Sequence, residues 1–171
     1  MLISDLTYKV VAYSEIKNYN TDECVDWAIE MIALGHDTEH VLILAGLHKP
    51  TNYFETVNIL KIAIGECGLE MKTGKEGIIS YNCYFIKQIA KFINVKENLL
   101  KISESCIDND YDRSIFDFYL LRWAWSDLDW GNLYTEYWPG ANINNVEQIV
   151  VAFAGNWLSQ NESYYLQRSK A

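Results

Sequence analysis

One spacing recurs five times along the chain and constrains its fold more than any other feature. An Asn or Thr is followed three residues later by Glu, as in a capping box, where both side chains bond to unpaired backbone N–H groups of a helix's first turn. Apolar residues at helical intervals follow each occurrence. The sequence therefore predicts a helix after each of five pairs: Asn20 with Glu23, Asn52 with Glu55, Thr73 with Glu76, Asn94 with Glu97, and Asn144 with Glu147.

The pattern between these starts favours an all-α fold. Residues 1–19 fit both strand alternation and helical spacing, and we interpret them as helix. Asp37 is placed to cap a further short helix, and no Asn-Gly or Asp-Gly hairpin turn occurs. We expect an irregular bundle of seven or eight helices, with mostly antiparallel neighbours because the connections are short. The 171 residues suit a single domain over 1–171, with 163–171 as a frayed tail.

The stretch from Ser114 to Gly140 holds four of the six tryptophans. On a helical wheel, apolar side chains cover its first half almost completely, and only a stripe through Arg122, Ser126 and Asp129 is polar. A helix that is apolar nearly all round is usually central and buried. We therefore expect this helix at the centre of the bundle.

Negative charge is concentrated in the same half of the chain. The net charge is −9, and residues 102–150 carry nine acids against two arginines, Arg113 and Arg122. Phosphates would be repelled, so nucleic acid and anionic membrane are not expected as ligands. The negative electrostatic field of this segment favours a basic protein partner. An acidic surface can also have no role other than to keep a protein soluble.

The remaining composition indicates a cytoplasmic protein without a cofactor. No long apolar run and no signal-peptide pattern occurs. Four cysteines lie far apart without a C-x-x-C pair, which favours buried free thiols at Cys24, Cys67, Cys83 and Cys106.

Two short segments resemble metal-binding motifs, but neither is predicted to bind metal. Residues 36–40 read H-x-x-E-H, but His36 should lie in the turn between two helices, where it cannot share a face with His40. Residues 108–112 begin like a calcium loop, which would need Gly at position six and Glu at position twelve and has Arg113 and Tyr119 instead.

Two carboxylates of the central helix invite a catalytic interpretation. Asp117 and Asp127 both fall among apolar positions on the wheel, and buried acids can serve as general acid or base. Ten residues of helix separate them by roughly 15 Å, too far for one glycosidase-like pair. Asp117 also has capping-box spacing from Ser114. Asp127 remains as a possible buried acid without a local explanation.

The aromatic loop, residues 130–138, follows the central helix. It contains Trp130, Leu133, Tyr134, Tyr137 and Trp138, which is unusual for a solvated connection. Two interpretations are open: the loop folds back as a lid over the core, which we favour, or part of it is exposed as an anchor for a partner, because Trp and Tyr dominate binding hot spots. Both can hold for different rings of the loop.

Two strings resemble a group of small bacterial proteins of uncharacterised function. The first is DWAIEMIALGHDTEHVLILAGLHKPTNYFETVNILKIAIGECGL, with fixed points at Trp27-Ala28, Gly35, Leu44-Ala45-Gly46-Leu47 and Glu55. The second is DFYLLRWAWSDLDWG with YWPGA soon after. Comparable small acidic proteins are associated with toxin–immunity loci. The resemblance implies a helical fold and transfers no catalytic residue.

These observations predict a non-enzymatic binding protein, most simply an immunity protein that covers a cationic toxin domain. The alternatives are a small hydrolase or transferase built around Asp127, and a homo-oligomeric helical scaffold. The residues expected to contact the partner are Asp108, Asp110, Asp112, Asp129, Trp130 and Glu136.

Overall fold

A computed structural model describes residues 2–161, and this part of the chain contains helices and no strand. The predicted all-α multi-helix fold is confirmed, whereas the tail predicted at 163–171 lies outside the described residues. A short 3-10 turn at Tyr13–Glu15 accompanies eight helices: α1 Thr7–Val10, α2 Asp22–Ala33, α3 Glu39–Ala45, α4 Tyr53–Glu66, α5 Gly74–Ala90, α6 Val95–Asp108, α7 Phe116–Asp129 and α8 Val146–Gln160.

The helix starts predicted from residue 20 onwards lie within two residues of the observed ones, but not every cap forms as expected. The interpretation of residues 1–19 as helix is right only for Thr7–Val10 among the described residues 2–19. The Asn52 side chain accepts a hydrogen bond from the Glu55 N–H at 3.1 Å, as predicted. Asn94 caps α6 without a side-chain bond, in a left-handed backbone conformation with φ of 43°. Three caps lie one residue later than predicted: α2 is capped by Thr21 rather than Asn20, α3 by Thr38 rather than Asp37, and α8 by Asn145 rather than Asn144.

The chain divides into two compact units, whose described parts are residues 2–81 and 82–161. In the first unit, α2, α3 and α4 pack around fully buried Trp27, Met31 and Leu60. The Trp27 indole N–H donates to the Thr7 hydroxyl at 2.9 Å, which satisfies the buried polar atom of this large side chain. The buried face of α2 runs through Cys24, Trp27, Ala28 and Met31, whereas Leu34 at its end is 39% exposed.

In the second unit, α7 packs against α6 and α8. It buries one face of four residues, and it leaves Trp123 39% exposed on the other side. The expectation that α7 is buried nearly all round is therefore wrong. The helical wheel cannot tell an aromatic ring in the core from one at the surface, and the buried face here is Phe118, Leu121, Ala124 and Leu128.

Among the helices of residues 2–161, none is both long and apolar enough to cross a membrane.

Candidate functional site

The aromatic loop leaves α7 through a glycine. Gly131 has a φ of 94°, which favours a residue without a side chain, and its N–H donates to the Leu128 carbonyl at 3.1 Å. This closes the last turn of α7 and directs the following residues away from the helix. The sequence Asp129-Trp130-Gly131 thus places an indole at the point where the chain turns outward.

The loop has an outer and an inner part. Trp130 is 87% exposed, Leu133 87% and Tyr134 76%, and we call these three side chains the anchor set. Trp138 instead packs against the buried Leu128 cluster, with its ring centroid 5.5 Å from that of Phe153. The favoured lid interpretation is therefore right for Trp138 and wrong for the anchor set.

The Thr135 side chain ties the loop to α7. Thr135 is 6% exposed, and its hydroxyl donates to a carboxylate oxygen of Asp127 at 3.1 Å and accepts from the Tyr137 N–H at 3.2 Å. Asp127 is half-buried. It now has a structural explanation, since its carboxylate holds the loop that carries the anchor set.

An open cavity of about 850 Å³ lies between Asp127 and the loop. Its lining residues are Asp127 and residues 131–137, which include the Glu136 carboxylate and the rings of Tyr134 and Tyr137. The Tyr137 ring centroid lies 6.3 Å from that of Trp123 on the outer face of α7. The exposed aromatic surface therefore continues from the loop onto the helix.

The predicted contact acids differ in what they already bind. Asp129 forms an ion pair with Lys96. Asp112 accepts hydrogen bonds from the Ser114 N–H, at 2.8 Å, and from the Ser114 hydroxyl, so it shapes the connection into α7. The side chains of Asp108, Asp110 and Glu136 are exposed and have no hydrogen-bond or ion-pair partner among residues 2–161.

The structure does not bring the six predicted contact residues into one cluster. Asp108, Asp110 and Asp112 lie at the N-terminal end of α7, whereas Asp129, Trp130 and Glu136 lie at its C-terminal end. The 14 residues of α7 separate the two groups by roughly 20 Å. Only the second group adjoins the anchor set and the cavity.

Asp117 is exposed in the first turn of α7, so it is not one of the buried acids that a catalytic pair would need. Its charge is favoured there by the partial positive charge of the helix N-terminus.

The four cysteines are buried and free, as predicted. Burial raises the pKa of Cys106 to about 11, and the negative charge of Asp112 adds to the effect. Burial likewise raises the pKa of Cys24 to about 12. Because the thiolate is the reactive form, neither thiol is set up as a nucleophile at neutral pH.

The two histidines of the H-x-x-E-H string engage different groups. His36 contacts the Leu2 carbonyl oxygen through Nε2 at 2.8 Å, and His40 contacts a Glu66 oxygen through Nδ1 at 2.7 Å. Within the described range, no three His, Cys, Asp or Glu side chains cluster as metal ligands would.

Sequence reasoning underestimated Leu133, Tyr134 and Thr135. A signal was present at Leu133, an apolar residue that follows Gly131-Asn132 and has no helical neighbours to pack against. No local pattern identifies Thr135, because its importance comes from the return of the loop to Asp127.

Comparisons with known proteins assign no family to this chain. No protein-family model, curated protein or solved structure matches it. The resemblance to small bacterial proteins stays a prediction.

Proposed function

We propose that this chain is a protein-binding module whose partner is a basic protein, and that it acts as an immunity protein that neutralises a cationic toxin domain by direct binding. The observation that carries the proposal is the anchor set, three large side chains at least three-quarters exposed within five residues. Contiguous apolar surface of this kind, rimmed by polar groups, is typical of interaction sites.

The anchor set supplies the binding energy in this proposal. Burial of apolar surface stabilises a complex by about 25 cal/mol per Å² removed from water, and Trp and Tyr are enriched among the residues that dominate interfaces. Thr135 and Asp127 hold the loop before the partner arrives. A loop that is already ordered loses less conformational entropy on binding, which favours slow dissociation.

The acids supply steering rather than anchorage. Asp108, Asp110 and Glu136 have no basic partner among residues 2–161, so their charges act on an approaching cationic surface. Asp129 contributes less because Lys96 already neutralises it locally. Acids at both ends of α7 raise the association rate without each touching the partner.

The second candidate is a small hydrolase or transferase that uses Asp127. The cavity of about 850 Å³ favours it, because Asp127 and Glu136 both line this open space. Two carboxylates in one site are a general acid–base arrangement. The hydrogen bond from Thr135 to Asp127 is explained equally well if Asp127 only supports the loop. The cavity therefore supports an enzymatic function less strongly than the anchor set supports protein binding.

The third candidate, a homo-oligomeric scaffold, would place the anchor set against a second copy of this chain. Light scattering at several concentrations separates it from the first proposal, since a monomer at high concentration leaves the anchor set available to another protein.

A co-expression experiment tests the proposal. The product of the gene adjacent to the one that encodes this chain is induced in a bacterial host with and without this protein. The proposal predicts that the neighbour alone arrests growth, that this chain restores growth, and that the two proteins co-purify at low salt. A neighbour that is harmless, or that kills equally in the presence of this chain, contradicts the immunity function.

A further inference from the structure

A second site lies in the groove between α6 and α7, apart from the aromatic loop. Its volume is about 420 Å³, within the range of about 300–1,000 Å³ for small-molecule sites. The floor is apolar and consists of Leu99, Leu100 and Trp125. Leu100 is 37% exposed on this floor although it is a large apolar side chain.

The two ends of the groove are chemically different. At one end, Lys96 forms an ion pair with Asp129, and its ammonium lies 5.5 Å from the centroid of the Trp125 ring. At the other end lies Arg122, seven residues before Asp129 and therefore about 10 Å away along the helix. The floor between the two ends is long enough for one ring or a short alkyl chain.

Arg122 is the cation of this groove that has no acidic partner among residues 2–161. Its guanidinium carbon lies 5.3 Å from the centroid of the Trp123 ring, and no acidic or carbonyl oxygen of residues 2–161 accepts a hydrogen bond from it. A guanidinium stacked on an indole keeps its edge N–H groups free, and that edge matches a carboxylate in a bidentate geometry. The ring thus orients the guanidinium without neutralising it.

Glu97 limits the charge that a ligand can carry. It also lines the groove, and it lies in the first turn of α6, where the helix N-terminus favours its negative charge. Glu97 and Asp129 would repel a second carboxylate at their end of the groove. The site therefore fits one anionic group at Arg122 and an uncharged body over the floor.

We infer that the α6–α7 groove binds a small monocarboxylic acid with an aromatic or short aliphatic body, its carboxylate on Arg122 and its apolar part against Trp125 and Leu100. The inference does not depend on the protein-binding function, because the residues of the groove and of the anchor set are different.

The test uses 3-phenylpropionate as the probe, with 3-phenylpropanamide as its neutral counterpart and 2-phenylethylamine as its cationic one. Binding to the full chain is followed by changes in the NMR signal of the Trp125 indole. The acid should bind about tenfold tighter than the amide, because charge-assisted hydrogen bonds are the stronger kind, and the amine should bind weakest. Equal binding of acid and amide, or no binding of the acid up to its solubility, overturns the inference.

Three variants locate the site. Arg122→Gln should bring the acid-to-amide preference close to one, and Leu100→Asn should weaken acid and amide alike by removing apolar contact. Arg113→Gln is the matched control, since Arg113 is exposed, is the other arginine of residues 102–150 and does not line the groove. A preference that survives Arg122→Gln, or that disappears in Arg113→Gln, contradicts the assignment. Leu133→Ser should leave acid binding unchanged while it weakens binding of a protein partner, so the two proposals can fail separately.

Discussion

The Thr135 hydroxyl donates a hydrogen bond to the Asp127 carboxylate, with 3.1 Å between the two oxygens. This contact joins the outward loop to the last turns of α7, eight residues earlier in the chain. It makes Asp127 a positioning residue for the anchor set, which lies on either side of the Gly131 turn. Substitutions at Asp127 separate that role from catalysis.

Asp127→Ala should loosen the loop, whereas Asp127→Asn should largely preserve it. An asparagine oxygen can still accept the Thr135 hydrogen bond, and alanine offers no acceptor. Amide hydrogen exchange of residues 131–137 should therefore accelerate in Asp127→Ala and change little in Asp127→Asn, with partner affinity following the same order. A carboxylate that acts as acid or base would give the opposite outcome, in which Asp127→Asn is as damaging to function as Asp127→Ala.

Trp130→Ala and Leu133→Ser should weaken partner binding at least about tenfold each, mainly through faster dissociation. Both side chains are 87% exposed, so the free energy of unfolding should change by no more than about 0.5 kcal/mol. Phe54→Ala is the control, because Phe54 is an equally apolar side chain, 77% exposed, in the first unit. A comparable loss of affinity in Phe54→Ala would show that exposed rings in general, rather than the anchor set, govern binding.

Asp108→Lys with Asp110→Asn should lower the association rate and flatten its dependence on salt, with a smaller effect on dissociation. Asn is chosen at position 110 because the backbone there has a positive φ of 52°, which Asn tolerates. Asp112 is left intact because it holds Ser114. Asp37→Asn with Glu39→Lys makes the same change in net charge at exposed positions of the first unit. Equal effects of the two pairs on stopped-flow association would mean that net charge, not its position, steers the partner.

Glu66→Gln should lower the free energy of unfolding near neutral pH and should change it little in acid. The adjacent Thr38 hydroxyl and the contacts with His40 hold the pKa of Glu66 below its ordinary value of 4.5. A carboxyl with a lowered pKa stabilises the fold above its ordinary pKa, and the stabilisation disappears as pH falls through the lowered value. Urea unfolding at about pH 6 and about pH 3 should show that the difference in the free energy of unfolding between wild type and Glu66→Gln becomes smaller in acid. Glu136→Gln is the control, because Glu136 is exposed, lies outside the helices and has no hydrogen-bond or ion-pair partner among residues 2–161, and it should show a much smaller difference.

The helical fold was predictable because its signals are local. Polar residues before Asp22, Tyr53 and Gly74 and apolar residues at helical intervals depend only on neighbouring sequence, and they located the helices to within a residue or two. The stop at Gly68 is local in the same way, with a φ of 67° and a bond from the Leu69 N–H to the Ile64 carbonyl.

The site was only partly predictable because it depends on where the loop returns. Trp130 and Trp138 look alike in the sequence, yet one is exposed and the other packs against Phe153. Asp129 and Lys96 form an ion pair although they lie 33 residues apart in the sequence, and the sequence near either residue does not predict this contact. The same tertiary contact between α6 and α7 creates the groove at Arg122, which no pattern in the sequence indicated.

Growth rescue by three forms of this protein, in cells that produce the neighbouring gene's product, tests most directly whether the anchor set is needed for neutralisation. Wild type, Trp130→Ala with Leu133→Ser, and Phe54→Ala are expressed to equal levels, checked by immunoblot. Wild type and Phe54→Ala should restore growth, and the loop double variant should not. Full rescue by the double variant would contradict this role of the anchor set, because neutralisation would then proceed without it.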